Sequence, residues 1–166
     1  MSKEIRKFVK YPKEIHYSKI RNFFKKKNLT KLIDLSNRRS SYVNELIESK
    51  PYKPELIDLY RLYQFVLLNK RTTILEFGSG FSSLILNCAL EENKKKYKND
   101  VKKLRRNNPF ELFIVENEKK FINITKKRIE NFKSKKNYKS KAKINFFLIE
   151  CIMTKYQGNY ATEYKK

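Results

Sequence analysis

The chain has 166 residues, a length that suits one domain burying about two-thirds of its unfolded surface. Forty Lys and Arg residues against 17 Asp and Glu residues give a formal net charge of +23. The sequence contains no run of about 20 apolar residues that would predict a membrane span, and its N-terminal residues lack the apolar stretch of a signal peptide. Cys88 and Cys151 lack metal-ligand spacing. We therefore expect a cytoplasmic protein without membrane or metal partners.

Residues 1–70 are predicted to form a helical N-terminal region that packs on a following sheet. Apolar residues recur with helical spacing from Ile15 to Phe24 and from Leu32 to Ile47. A third helix is predicted to open at Pro54. Its apolar face is formed by Leu56, Leu59, Tyr60, Tyr63, Val66 and Leu67.

The most informative segment follows this region. Residues 72–77 form an apolar, β-branched run of strand length, and residues 81–90 have apolar positions at helical spacing. Two of the three glycines in the chain, Gly78 and Gly80, lie between them. Glycine permits a tight turn and a close approach of the backbone to a ligand. We therefore predict an open floor beside a helix N-terminus, capped by Ser82 or Ser83.

The spacing of these glycines selects among ligands. The segment lacks the G-x-x-x-x-G-K-[ST] pattern of a P-loop, and the third glycine of a dinucleotide fingerprint is replaced by Ser83. Glu76 at the end of the strand would repel a pyrophosphate and suits a cationic group. An amino group or a sulfonium is the better fit.

The run Ile74-Leu75-Glu76-Phe77-Gly78-Ser79-Gly80 resembles the first motif of class I S-adenosylmethionine-dependent methyltransferases. The resemblance implies S-adenosylmethionine as cofactor, with the turn beneath its methionine part and the acid beside its amino group. Those roles would fall to Glu76, Gly78, Ser79 and Gly80. An ordinary strand, turn and helix without a ligand is the alternative, which an acid beside paired glycines disfavours.

A second acid also follows a strand. Residues 112–116 form an apolar run that ends in Glu116, and a helical pattern follows from Phe121 to Phe132. In nucleotide-binding α/β folds an acid here binds the ribose hydroxyls, about 20 residues after the glycines. The separation is longer in this chain because the charged residues 91–108 intervene. Glu116 is the predicted ribose ligand, with a carboxylate that merely begins the next helix as the alternative.

A third predicted strand, residues 144–149, ends at Glu150. In the family an acid or amide after this strand often reaches the adenine amino group, which makes Glu150 a candidate; a surface carboxylate is the alternative. The implied fold of residues 71–166 is α/β, a partial Rossmann-like parallel sheet of about three strands in the order 3-2-1. Residues 154–160 are expected to lead toward a fourth strand.

The family's fourth strand usually ends in an acid or an Asn-Pro-Pro-aromatic signature, and this sequence contains neither the strand nor the signature. No catalytic residue can be assigned, and the methyl acceptor stays unknown. We expect the S-adenosylmethionine-binding portion of a methyltransferase, incomplete for catalysis. Its first strand would be an exposed edge, so we expect self-association through that edge or a complementing chain encoded downstream.

The strong positive charge suggests an alternative function, a basic nucleic-acid-binding module that uses the α/β unit as a scaffold. Lysine greatly exceeds arginine, however, and Asn and Ile are plentiful, which codon bias in an AT-rich gene also produces. The aromatic residues mostly occupy apolar helix and strand positions and form no evident base-stacking stripe. Nucleic acid is therefore not favoured. The basic clusters are Lys25–Lys27, Lys94–Lys96, Lys102–Arg106 and Lys133–Lys136.

Overall fold

The computed structural model of the chain describes residues 8–38, 51–105, 107–134 and 142–165. The chain divides into two compact units, Met1–Arg71 and Thr72–Lys166. The described residues contain helices, a three-stranded parallel sheet and a separate antiparallel pair of strands. The predicted α/β class is confirmed. None of the helices in these residues is both long and apolar enough to cross a membrane.

The first unit is helical over its described residues, with α1 at Tyr17–Lys26, α2 at Thr30–Ser36 and α3 at Leu56–Leu68. Helix α1 ends where Asn28 adopts a left-handed conformation (φ 55°), which Asn tolerates better than most residues. Helix α3 begins at Leu56, two residues after the predicted start at Pro54. Part of the helix predicted from Leu32 to Ile47 lies outside the described residues.

Apolar packing accounts for the helices of the first unit. Ile20 and Phe24 from α1 are buried, as are Tyr63 and Val66 from α3. The Phe23 ring meets the Tyr63 ring edge to face, with 5.0 Å between their centroids. These contacts place the predicted apolar face of α3 inward.

The second unit alternates strands and helices: β1 at Thr73–Phe77, α4 at Phe81–Val101, β2 at Glu111–Glu116, α5 at Lys119–Ser134 and β3 at Lys143–Leu148. Strand β2 lies between β1 and β3, and both pairs are parallel. Each parallel pair is joined by a crossover helix, as parallel pairing requires. The first part of the charged stretch that separates the glycine turn from β2 continues α4 to Val101.

The two faces of this sheet differ. Helices α4 and α5 pack against one face, where Leu112 and Ile114 of β2 are fully buried. On the opposite face Leu75 and Phe77 of β1 are 58% and 62% exposed. Strand β1 has no second neighbouring strand among the described residues, so it is an edge strand there.

Residues 151–164 form a β-hairpin, which corrects the prediction that residues 154–160 lead toward a further strand of the sheet. Strand β4 (Cys151–Tyr156) pairs antiparallel with β5 (Asn159–Tyr164). The two-residue turn between them has positive φ at Gln157 (49°) and Gly158 (81°). Such turns match the twist of paired strands, so Gly158 allows the chain to reverse direction between β4 and β5.

Candidate functional site

The glycine turn between β1 and α4 contains two glycines in different conformations. Gly78 has φ 85°, a left-handed value that favours glycine, and its N–H donates to the Val115 carbonyl over 2.7 Å. Gly80 is extended, with φ −178°, and a Cβ atom there would meet nothing closer than the Ser82 hydroxyl at 4.0 Å. The backbone therefore explains Gly78, whereas neither conformation nor local packing requires glycine at position 80.

Glu76 occupies the penultimate position of β1 and turns its carboxylate toward the start of α4. Oε1 accepts a hydrogen bond from the Ser82 hydroxyl, and Oε2 is buried without a hydrogen-bond partner among the described residues. Burial raises the pKa of this carboxyl above its ordinary value, the hydroxyls of Ser82 and Ser83 oppose that rise, and the charge of Glu116 adds to it. The site thus contains an acid with one unused acceptor.

The two serines predicted to cap α4 have different roles. Ser82 donates to Glu76, and the Ser83 hydroxyl accepts from the N–H of Gly80 over 3.1 Å. Because Gly80 is the N-cap residue of α4, the Ser83 bond is the side-chain half of a capping box. The prediction is therefore confirmed for Ser83, whereas Ser82 orients the acid.

Glu116, at the end of β2, is 5% exposed and fully hydrogen-bonded. Its Oε2 accepts from both the N–H and the hydroxyl of Ser79, each over 2.8 Å. Its Oε1 accepts from the backbone N–H groups of Asn117 at 2.9 Å and Glu118 at 3.2 Å. An ionised carboxylate has about four acceptor positions, so these donors fill it. A ribose could reach this acid only by displacing Ser79.

Glu150 is separated from this arrangement. Its side chain is exposed and its carboxylate forms an ion pair with Lys165 at 2.9 Å. The N–H of Lys165 also donates to the Glu150 carbonyl over 2.9 Å. The structure therefore brings Glu76, Gly78, Ser79, Gly80 and Glu116 together, and it uses Glu150 at the base of the hairpin.

Sequence reasoning missed one aromatic residue beside the site. Tyr164 of β5 lies against Phe77 of β1, with 5.3 Å between ring centroids. Desolvation and the charges of Cys151 and Glu116 raise the pKa of its phenol above the ordinary value. The available signal was the Gln157-Gly158 turn, which predicts a hairpin returning toward the sheet.

Sequence reasoning also missed Arg128 of α5. Its guanidinium stacks on Phe81, the first residue of α4, at 3.7 Å from the ring centroid. Burial lowers its pKa to about 10, and Nη1 has no hydrogen-bond partner among the described residues. This packing joins α5 to the start of α4, directly after the glycine turn.

No known protein family, curated protein or solved structure matches this chain. Within the residues that the structure describes, no group of three or more His, Cys, Asp or Glu side chains is arranged to hold a metal ion. The chemistry of the site therefore has to be judged from its own geometry.

Proposed function

We propose that the chain is the S-adenosylmethionine-binding portion of a class I methyltransferase, built on half of a Rossmann-like sheet in the order 3-2-1. The observation that carries this proposal is Gly80. A chain with only three glycines has one at a position where the fold would accept a side chain. A ligand passing close to the backbone accounts for that choice.

The chemistry of Glu76 supports the same ligand. A buried carboxylate with an unpaired oxygen is costly unless a donor or a positive charge meets it. The amino group of S-adenosylmethionine supplies both. When bound, the cofactor supplies an electrophilic methyl group on its sulfonium, and we assign no residue of this chain to the transfer itself.

Glu116 could bind a ribose only if the ribose hydroxyls replaced its present hydrogen-bond donors. Ser79 donates one N–H and one O–H to a single oxygen of Glu116. Two ribose hydroxyls are donors of the same kind, so they would substitute for Ser79 without leaving the buried carboxylate unpaired. We infer that the contact between Ser79 and Glu116 opens when the ligand binds. We leave Glu150 out of the proposed pocket because Lys165 engages it.

A partner that covers the sheet is part of the proposal. Parallel sheets are normally covered on both faces, yet Leu75 and Phe77 are more than half exposed on an edge strand. We propose that this edge takes a complementing chain or a second copy of the protein. Light scattering should find species larger than the monomer, and Phe77→Lys should reduce them because a charge at an edge disfavours pairing. A wild-type protein that stays monomeric would exclude self-association.

The test of the proposed ligand is calorimetry with S-adenosylmethionine and its demethylated product. We expect binding at or below millimolar ligand, abolished by Gly80→Val, with Glu76→Gln and Glu116→Gln each weakening it about tenfold or more. Glu150→Gln is the matched control, since it also removes a carboxylate after a strand but should leave the affinity unchanged. Absence of binding heat in the wild type at millimolar ligand would rule the proposal out.

A further inference from the structure

The C-terminal hairpin leaves three large side chains exposed to water, although burying them would stabilise a protein that folds by itself. Met153, Tyr156 and Tyr160 are 70%, 68% and 76% exposed. The two tyrosines are exceptions to the expectation that the aromatic residues mostly occupy apolar positions. A two-stranded hairpin is only marginally stable by itself, so leaving these side chains in water is not explained by folding.

One face of the hairpin combines aromatic character with positive charge. The strand register pairs Lys155 with Tyr160 and Met153 with Thr162, and these four side chains share a face because paired residues project to the same side. The Lys155 ammonium lies 5.4 Å from the centre of the Tyr160 ring, within cation–π range. Of the two acids in the hairpin region, Glu163 belongs to the opposite face and Glu150 is paired with Lys165.

This face is attached to the edge of the sheet that holds the candidate site. The N–H of Ile149 donates to the Glu116 carbonyl over 2.9 Å, and Tyr164 contacts Phe77. Helix α5 begins at the same edge, directly after β2, with Lys119 and Lys120 exposed. Lysine in the first turn of a helix is unfavourable, so helix stability does not explain these two residues.

We propose that the hairpin binds single-stranded nucleic acid. A base stacks on Tyr160, which every base can do without regard to sequence, and Lys155, Lys119 and Lys120 attract the phosphates. Tyr156 projects to the opposite face of the hairpin, so it is not part of this site. The net charge of +23 favours a polyanion over a neutral partner. An acidic peptide shares the charge but lacks bases to stack, which separates the two occupants experimentally. The inference rests on the hairpin alone and does not depend on the proposed cofactor.

The test is fluorescence anisotropy with labelled oligouridylate RNA and oligothymidylate DNA of about 12 nucleotides, a length within the usual footprint of such sites. A polyglutamate peptide of equal length serves as the acidic probe. We expect Tyr160→Ala to weaken oligonucleotide binding about tenfold or more, whereas Tyr156→Ala on the opposite face should leave it unchanged. Tyr160→Phe should bind like the wild type because it keeps the ring. Tyr17→Ala, which removes a 41% exposed ring from α1, should change nothing.

Salt dependence tests the role of charge. Lys119→Gln with Lys120→Gln should reduce the slope of log affinity against log salt by about one to two, whereas Lys25→Gln with Lys26→Gln in α1 should leave it unchanged. Equal binding by the wild type and Tyr160→Ala, with both folded by circular dichroism, would overturn the proposal. Polyglutamate binding as tight as oligonucleotide binding would overturn it as well. Gly80→Val should retain oligonucleotide binding, so a failed cofactor site and a failed hairpin site give different results.

Discussion

Glu76 and Glu116 are the same residue type near the ends of neighbouring parallel strands, yet their surroundings differ. Glu76 leaves one buried oxygen without a partner among the described residues, and burial raises its pKa. Glu116 accepts four hydrogen bonds, two of them from Ser79. The buried charge of Glu76 therefore destabilises the fold, whereas the hydrogen bonds that Glu116 accepts stabilise it. Glu116 therefore has a structural role in holding the turn, whereas the cost of burying Glu76 is explained by a ligand and not by the stability of the fold.

The largest expected effect is the loss of Glu116. Glu116→Ala leaves the N–H groups of Ser79, Asn117 and Glu118 without their acceptor, and we expect the free energy of unfolding to fall by about 3 kcal/mol. Denaturant unfolding followed by circular dichroism measures it. Glu150→Ala is the control, since its exposed ion pair with Lys165 should contribute under about 1 kcal/mol. A loss at Glu116 no larger than at Glu150 would contradict the assigned network.

The turn between the two acids gives the next largest effect. Gly78→Ala forces a side chain into a left-handed conformation and should cost about 1–2 kcal/mol. Gly80→Ala should cost under about 0.5 kcal/mol beyond the intrinsic difference between the residues, because its backbone is extended and its surroundings are open. Thermal unfolding of both variants measures the two losses of stability. Equal costs would mean that Gly80 is required by the fold, and the main support for a ligand would be lost.

Glu76→Gln should act in the opposite direction and stabilise the protein by about 1 kcal/mol at pH 7. The folded-state pKa of Glu76 is raised above its ordinary value of 4.5, so the wild type loses stability as the pH rises from that value through the folded pKa. The gain of the variant should therefore disappear below about pH 4.5. Unfolding curves at pH 4 and pH 7 test this. A variant that is less stable at pH 7 would show that the carboxylate is favourably paired.

The smallest expected effect separates the two contacts of Ser79. Ser79→Ala removes the hydroxyl that donates to Glu116 and keeps the N–H that donates to the same oxygen, at a cost below about 1 kcal/mol. Ser82→Ala, which removes the only donor shown to Glu76 Oε1 among the described residues, is the matched comparison. A double-mutant cycle with Glu116→Gln should give a coupling energy for Ser79 and none for Ser82.

The order of the elements in the second unit was predictable because strand and helix periods are local properties. The patterns of residues 72–77, 81–90 and 112–116 predicted β1, α4 and β2, and each element begins within one residue of the predicted start. The clustering of Glu76, the glycine turn and Glu116 was also predictable, since the carboxyl ends of parallel strands meet at one edge of a sheet. Their role in binding stays a prediction.

The hairpin was mispredicted for a different reason. Residues 154–160 were interpreted as the connection toward the family's expected fourth strand, although Gly158 between two runs of β-forming residues is a local hairpin signal. Exposure was unpredictable from the pattern. Tyr156 and Tyr160 have the side chains of buried strand residues, but they project from opposite faces of the hairpin and both are exposed among the described residues.

By itself the sequence determined the strand, turn and helix periods, the positive charge and the presence of an acid near the end of each strand of the parallel sheet. The tertiary structure decided the partner of each acid. Glu76 keeps an unpaired oxygen among the described residues, Glu116 accepts hydrogen bonds from Ser79, and Glu150 forms an ion pair with Lys165. The physical reason is that periodicity depends on neighbours along the chain. The partner of a carboxylate depends instead on donors that are distant in sequence: Ser79 lies in a different crossover from Glu116, and Lys165 closes the hairpin that Glu150 opens.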